Sequence, residues 1–304
     1  MSLLANWLES LSYELNATNQ CLRKISPYST CTVCFDTCKT QAITYVKNGL
    51  EINSQLCNGC SSCLTNCPVQ AIEGQSPTRK VLEDILYLDE GALPTENELL
   101  YLYKNGVRKI SKTTLEENLE QIIAGTNEIL NQMEMEPIII GEFVENAHST
   151  EKKLSRRDFF NKLSSDSKKI VLSSATPIKW RFNQSNFNRA KMFEGWSFYS
   201  ILLDKESCTL CETCFRLCPA GVFLIDGDHL TIDNGKCVGC TLCSNVCRHN
   251  SIKIDSEIGK TKIYSYPIVK KICKNCGGTF NSCEDEQHCF TCKSSKENSI
   301  LNFL

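Results

Sequence analysis

No stretch of this chain reaches the roughly 18–20 consecutive apolar residues that a membrane-spanning helix needs, so no membrane span is expected. The first fifteen residues lack a cationic start and an unbroken apolar run, and they include Glu9 and Glu14, which argues against a secretory leader. A soluble, cytoplasmic protein is the expectation. An excess of charge of either sign is also missing. With 33 Lys and Arg against 35 Asp and Glu, the net charge is −2, which argues against a dedicated nucleic-acid binder. There is no Gly-rich phosphate loop and no Ser/His/Asp set, and the whole chain has 4 His, so no segment is nominated as a catalytic domain.

What is abundant is cysteine: 21 in 304 residues. Such a number means either a disulfide scaffold in a secreted protein or thiolates held by metal in a reducing compartment. Most of these cysteines fall in tight runs separated by two or three residues, too close and too regular for a disulfide framework but suited to wrapping a cluster.

The runs repeat. Cys31, Cys34, Cys38, Cys57, Cys60, Cys63 and Cys67 map onto Cys211, Cys214, Cys218, Cys237, Cys240, Cys243 and Cys247 with one constant offset of 180 and no gap. Between the runs, residues 43–56 and 223–236 each read as two short strands around a turn, at Asn48-Gly49 and Asp226-Gly227. A shorter repeat halves each module: every run is followed by a small-to-apolar step, Ala42-Ile43, Ala71-Ile72, Val222-Phe223 or Ser251-Ile252.

The pattern C-x2-C-x2-C-x3-C-P is complete at Cys57, Cys60, Cys63, Cys67, Pro68 and again at Cys208, Cys211, Cys214, Cys218, Pro219. On these residues the sequence resembles the bacterial two-cluster ferredoxins over about residues 21–74 and 202–255. In that family the fourth cysteine of each run ligates the other run's [4Fe–4S] cluster. The resemblance therefore implies that Cys57, Cys60 and Cys63 join Cys38, that Cys208, Cys211 and Cys214 join Cys247, and that Cys237, Cys240 and Cys243 join Cys218. One site departs from the pattern, because Tyr28 stands where Cys208 would map, leaving Cys31, Cys34 and Cys67 a ligand short. Cys21, seven residues upstream of Tyr28, is the candidate fourth thiolate. A three-iron cluster, a non-cysteine ligand such as Tyr28, or a lost cluster with Cys21 as an ordinary buried thiol are the competing readings. Lys39 and Arg248 replace the proline in the other two runs; a cation there would favour a reduced cluster, and a solvated surface charge is the plainer account.

Residues 78–150 read as a small α/β spacer domain: strand 81–88, helix 96–105 capped by Thr95, helix 115–133 capped by Thr113 or Thr114, strand 138–143. This unit holds the modules apart and offers a docking face; its likeness to inserted domains of multi-cluster electron-transfer proteins is weak. It holds 14 acidic and 6 basic residues, whereas residues 151–191 hold 3 and 11. Within the basic stretch, Ser155-Arg156-Arg157-Asp158-Phe159-Phe160 looks like a twin-arginine motif, but it is internal and no apolar stretch follows. In the tail, Cys273-x-x-Cys276 and Cys289-x-x-Cys292 resemble a zinc ribbon or rubredoxin-like knuckle pair, with zinc favoured over a single iron and Cys283 and His288 as alternative ligands.

The expected fold class is α+β. It divides into an amphipathic N-terminal helix (1–20, apolar at Leu4, Trp7, Leu8, Leu11 and Leu15), a first 2[4Fe–4S] module (21–77), the spacer (78–150), a basic linker (151–201), a second module (202–262) and the zinc-ribbon-like tail (263–304). The expected function is electron transfer through four [4Fe–4S] clusters, without catalytic residues, as a subunit or dedicated redox partner of a larger oxidoreductase such as a molybdenum enzyme or hydrogenase. The alternatives are an assembly or maturation factor and an iron–sulfur enzyme whose substrate site is unrecognised.

Overall fold

A computed structural model describes residues 15–47, 49–88, 91–112, 116–143, 178–180, 182 and 187–293. The amphipathic stripe at Leu4, Trp7, Leu8 and Leu11, the twin-arginine-like motif and the candidate caps Thr113 and Thr114 lie outside the described residues.

The first module runs through β1 (Asn16–Ala17), α1 (Leu22–Ile25), α2 (Val33–Asp36), the hairpin β2 (Ile43–Val46) and β3 (Gly49–Ile52), α3 (Ser62–Asn66) and β4 (Ile72–Glu73). β1 pairs antiparallel with β4, and β2 with β3. The small-to-apolar steps form the interior wall: Ala42, Ile43, Ala71 and Ile72 are each 1% exposed. Their smallness at the first position lets the backbone close against the preceding cysteine run.

The intervening α/β unit has a five-stranded sheet in the order β8-β7-β6-β5-β9, built from β5 (Arg79–Leu82), β6 (Ile85–Tyr87), β7 (Lys109–Ser111), β8 (Ile139–Gly141) and β9 (Ile178–Trp180). Helices α4 (Glu96–Lys104) and α5 (Glu117–Gln132) carry the chain across between the parallel strands β6, β7 and β8. Leu119, Ile123, Thr126 and Leu130, at helical spacing, are the buried face of α5. The single strand expected over 81–88 is two strands, because the chain turns at Glu83, which takes φ +53°. Strand β7 has no counterpart in the sequence reading: three residues after Gly106 are too few to show alternation. Thr95 caps α4, its side chain accepting from the Glu98 amide at 3.2 Å.

The second module repeats the first with longer strands: β10 (Trp196–Leu203), α6 (Thr213–Leu217), β11 (Phe223–Asp226), β12 (His229–Asp233), α7 (Leu242–Val246) and β13 (Ile252–Lys260). β10 pairs with β13 as β1 pairs with β4. Here the boundaries read from sequence shift: β10 begins inside the segment assigned to the linker, and β14 (Ile263–Pro267), assigned to the tail, adds a third strand to the β11–β12 hairpin. The tail then starts with the hairpin β15 (Val269–Ile272) and β16 (Thr279–Ser282).

The two modules touch, so the α/β unit does not hold them apart. Thr30 donates from both its amide and its hydroxyl to Asn245 Oδ1, at 3.2 and 3.1 Å. Leu22, 2% exposed, and Ile25 belong to the same apolar cluster as Val222, Leu242 and Val246. The α/β unit packs beside the first module, where Asn97 Nδ2 donates to the Thr65 carbonyl at 3.2 Å and to Asn66 Oδ1 at 2.9 Å.

Inside that unit Arg79 and Glu98 form a two-pronged pair at 2.8 and 3.1 Å, with side chains 7% and 1% exposed. Removing one partner leaves an uncompensated buried charge, so Glu98→Ala is expected to cost about 3–5 kcal/mol, seen as a lowered unfolding midpoint. The double change Arg79→Met with Glu98→Leu should cost less than Glu98→Ala alone; equal or greater loss would show that the pair is not isolated.

Candidate cofactor and metal centres

Each cysteine run ends in the same backbone device. The third residue after the last cysteine takes a left-handed conformation, at Gln41 (φ +53°), Gln70 (+56°), Gly221 (+62°) and Asn250 (+52°). The turn aims the next amide back at the cysteine: Ala42 N–H donates to Cys38 Sγ at 3.3 Å, Ala71 to Cys67 at 3.1 Å and Ser251 to Cys247 at 3.3 Å. A second left-handed residue, at Ser61, Glu212 and Thr241, precedes each short helix that carries the third cysteine of a run. Thr32, the corresponding residue in the irregular site, has φ −125° instead.

The folded chain brings the sulfurs together in fours. Burial pushes the Cys63 thiol up to about 12, with Cys60, Cys34, Cys57 and Cys38 adding to the rise. Cys214 is likewise pushed up to about 12 by burial and then by Cys208, Cys211 and Cys247. Cys243 rises to about 12 through burial and then Cys240, Cys237 and Cys218, with Cys214 following. The irregular set behaves in the same way: burial raises Cys34 to about 12, with Cys31, Cys67 and Cys21 contributing. Cys21 is 7% exposed, whereas Tyr28 is 65% exposed.

Comparison of the modules explains how Cys21 arrives there. The Thr18 amide donates to the Ala71 carbonyl and the Asp204 amide to the Ser251 carbonyl, both at 2.8 Å, so Thr18 and Asp204 are structural equivalents. Cys21 follows Thr18 by three residues and Cys208 follows Asp204 by four. The extra residues lie between Cys21 and Cys31, where they form α1, and Arg23 Nε fastens the insertion by donating to the Cys31 carbonyl at 2.6 Å. Sequence alignment at a fixed offset shows Tyr28 as the substitute; the strand pairing shows an insertion. Lys39 and Arg248 are exposed, as solvated charges would be.

Three cavities coincide with the regular sets. One is lined by Cys38, Cys57, Cys60 and Cys63, one by Cys208, Cys211, Cys214 and Cys247, and one by Cys218, Cys237, Cys240 and Cys243. Buried thiols such as Cys63, Cys214 and Cys243, raised to about 12, fit a group that supplies positive charge and strips their protons, which an iron–sulfur cluster does.

The tail builds a different, tighter centre. The Sγ atoms of Cys273, Cys276, Cys289 and Cys292 all lie within 4.8 Å of one another, and Cys276 and Cys289 are 3.7 Å apart. A Zn–S length of ~2.3 Å gives tetrahedral edges of about 3.8 Å, so the set fits one ion. Amides of Cys289 and Cys276 donate to Cys273 and bring it down to about 5. Cys283 and His288 are outside this set; Cys283 is instead buried in the second module's core, raised to about 11 by burial and next by Cys208. Phe290 packs against His249 with ring centroids 4.2 Å apart and planes tilted by 60°, and His249 lines the Cys208 cavity. The tail thus packs against the second module, an association that the sequence pattern did not signal.

Residues 200–248 match the 4Fe-4S dicluster domain family, and residues 50–72 match the 4Fe-4S binding domain family. The pyruvate synthase subunit PorD of Methanocaldococcus jannaschii is 38% identical over 58 residues, 19% of this chain and 67% of that protein. PorD of Methanothermobacter marburgensis is 37% identical over 62 residues, 20% of this chain and 73% of that protein. The ferredoxin-type protein NapF of Escherichia coli K12 is 42% identical over 50 residues, 15% of this chain and 30% of NapF. No helix among the described residues is long and apolar enough to cross a membrane.

Replacing Cys276 by Ser should remove the ion held in the tail while leaving the iron–sulfur absorption in place, as measured by metal analysis and visible spectroscopy. A colourless single ion identifies zinc, and thiolate-to-iron absorption identifies iron.

Proposed function

The chain belongs to the 4Fe-4S ferredoxin-type proteins and is an iron–sulfur electron carrier; beyond that, we propose that it holds four [4Fe–4S] clusters in two duplicated modules and relays electrons along them. When bound, each cluster takes up and returns one electron. The chain's part is to fix the spacing, keep water from the sulfurs and supply the amide hydrogen bonds that set the potential.

The observation that carries the reading is the succession of cysteine sets. Cys63 feels Cys34, Cys240 feels Cys31 and Cys243 feels Cys214, so each set has a neighbour in the next. The order that follows is the Cys57 set, the Cys31 set, the Cys237 set and the Cys208 set. The crossing between modules lies where Thr30, next to Cys31, bonds to Asn245 on the helix that carries Cys243.

Cys21 is proposed as the fourth ligand of the Cys31, Cys34 and Cys67 set, and a zinc ion as the occupant of the tail. For the partner we propose a larger oxidoreductase that takes this chain as its electron-transferring subunit or dedicated carrier. PorD relatives are subunits of pyruvate synthase, which supports an oxidoreductase partner and does not single out the molybdenum enzyme or hydrogenase expected from the sequence.

Anaerobically prepared protein should contain about sixteen iron and sixteen sulfide per chain, four for each of the four clusters. A value near eight would overturn the four-cluster reading. Cys21→Ser should convert one [4Fe–4S] signal to a [3Fe–4S] signal or abolish it, leaving the other three in electron paramagnetic resonance; four unchanged signals would remove Cys21 as a ligand.

A further inference from the structure

Duplication gives this protein an internal control, because corresponding cavities in the two modules can be compared residue by residue. The Cys38, Cys57, Cys60 and Cys63 cavity and the Cys218, Cys237, Cys240 and Cys243 cavity lie at the same 180-residue offset, but their walls differ in chemistry. Thr40 and Asn58 line the first where Ala220 and Val238 line the second. Ser62 also lines the first, and its counterpart Leu242 is a fully buried apolar residue.

The hydroxyls of the first cavity stand close to the sulfurs. Thr40 Oγ1 is 3.6 Å from Cys38 Sγ, and Ser62 Oγ is 3.5 Å from Cys60 Sγ. Ser61 is 1% exposed and its buried Oγ has no hydrogen-bond partner in the protein, whereas its counterpart Thr241, which also lines the second cavity, is only half-buried. A buried hydroxyl without an acceptor costs free energy unless the cavity's occupant accepts its proton. The thiolates and sulfides of a cluster are such acceptors. Adding an electron makes the cluster more negative, so each donor favours the reduced form and raises the potential, whereas an apolar wall lowers it.

We infer that Thr40 and Ser61 make the first module's Cys57-set cluster higher in potential than the second module's Cys237-set cluster, so that electrons run from the second module to the first. This deepens the four-cluster reading and rests on it. The low-potential donor is then met on the second module's side, and the acceptor on the first module's side, beside the α/β unit.

The test is a redox titration of the full holoprotein, followed by electron paramagnetic resonance, with iron and sulfide measured on the same samples. Thr40→Ala combined with Ser61→Ala should move one midpoint potential in the negative direction and leave the others in place. Ser61→Gly, which suits the left-handed backbone at φ +60°, should give a shift of the same sign without backbone strain. The reciprocal Ala220→Thr should move a different midpoint in the positive direction. Unmoved potentials at full iron content would overturn the inference and leave the four-cluster reading standing. The inference also fails if the midpoint moved by Ala220→Thr lies, in the parent protein, above the one moved by the Ser61 variants. Iron near eight in the parent protein would remove the four-cluster reading and the inference with it.

Discussion

Sulfur atoms gathered in fours inside an apolar wall cannot all ionise without cations among them, and every other feature of the molecule answers to that constraint. Burial, with neighbouring cysteines adding to it, pushes Cys34, Cys63, Cys214 and Cys243 to about 12. Metal removes the penalty by supplying positive charge. The tail meets the same difficulty on a smaller scale: backbone amides bring Cys273 down to about 5, and the four sulfurs lie close enough to fit one tetrahedral ion.

The backbone around the sulfurs follows from their demand for donors. A short loop has more amides than carbonyl partners, and left-handed residues turn the surplus toward sulfur. That is why Gln41, Gln70, Asn250 and Gly221 share one conformation, three of them with a carboxamide side chain and one with none. Only one of the four is glycine. The others accept a strained φ because the amide four residues past the cysteine has nowhere else to donate.

The cysteine spacing made the 4Fe-4S modules legible, since a repeat of seven cysteines at one offset admits few alternatives. Spacing also exposed the gap at Tyr28, but it could not show that the cause is an insertion, because that depends on the pairing of β1 with β4, two strands of two residues each. Strand β14 escaped for another reason: its partner β12 lies 30 or more residues earlier, and nothing local in Ile263–Pro267 names it. The contact between the modules was hidden because Leu22 and Ile25 sit in a short polar-looking segment whose apolar pair shows no periodicity. The α/β unit was read correctly in its helices, where capping and a buried stripe are local signals, and poorly in its strands, which are three or four residues long.

The small helix Leu22–Ile25 has a consequence for the order in which the protein can mature. Its residues precede the second module in the chain, yet Leu22 shares an apolar cluster with side chains as late as Val246. A nascent chain grows at about 5–20 residues per second and its N-terminal domains fold first, so for many seconds the first module stands with that helix in water. The Cys21 loop, which carries the helix, gains this support only once the second module has been made. Iron delivered before then meets the irregular site with its packing incomplete.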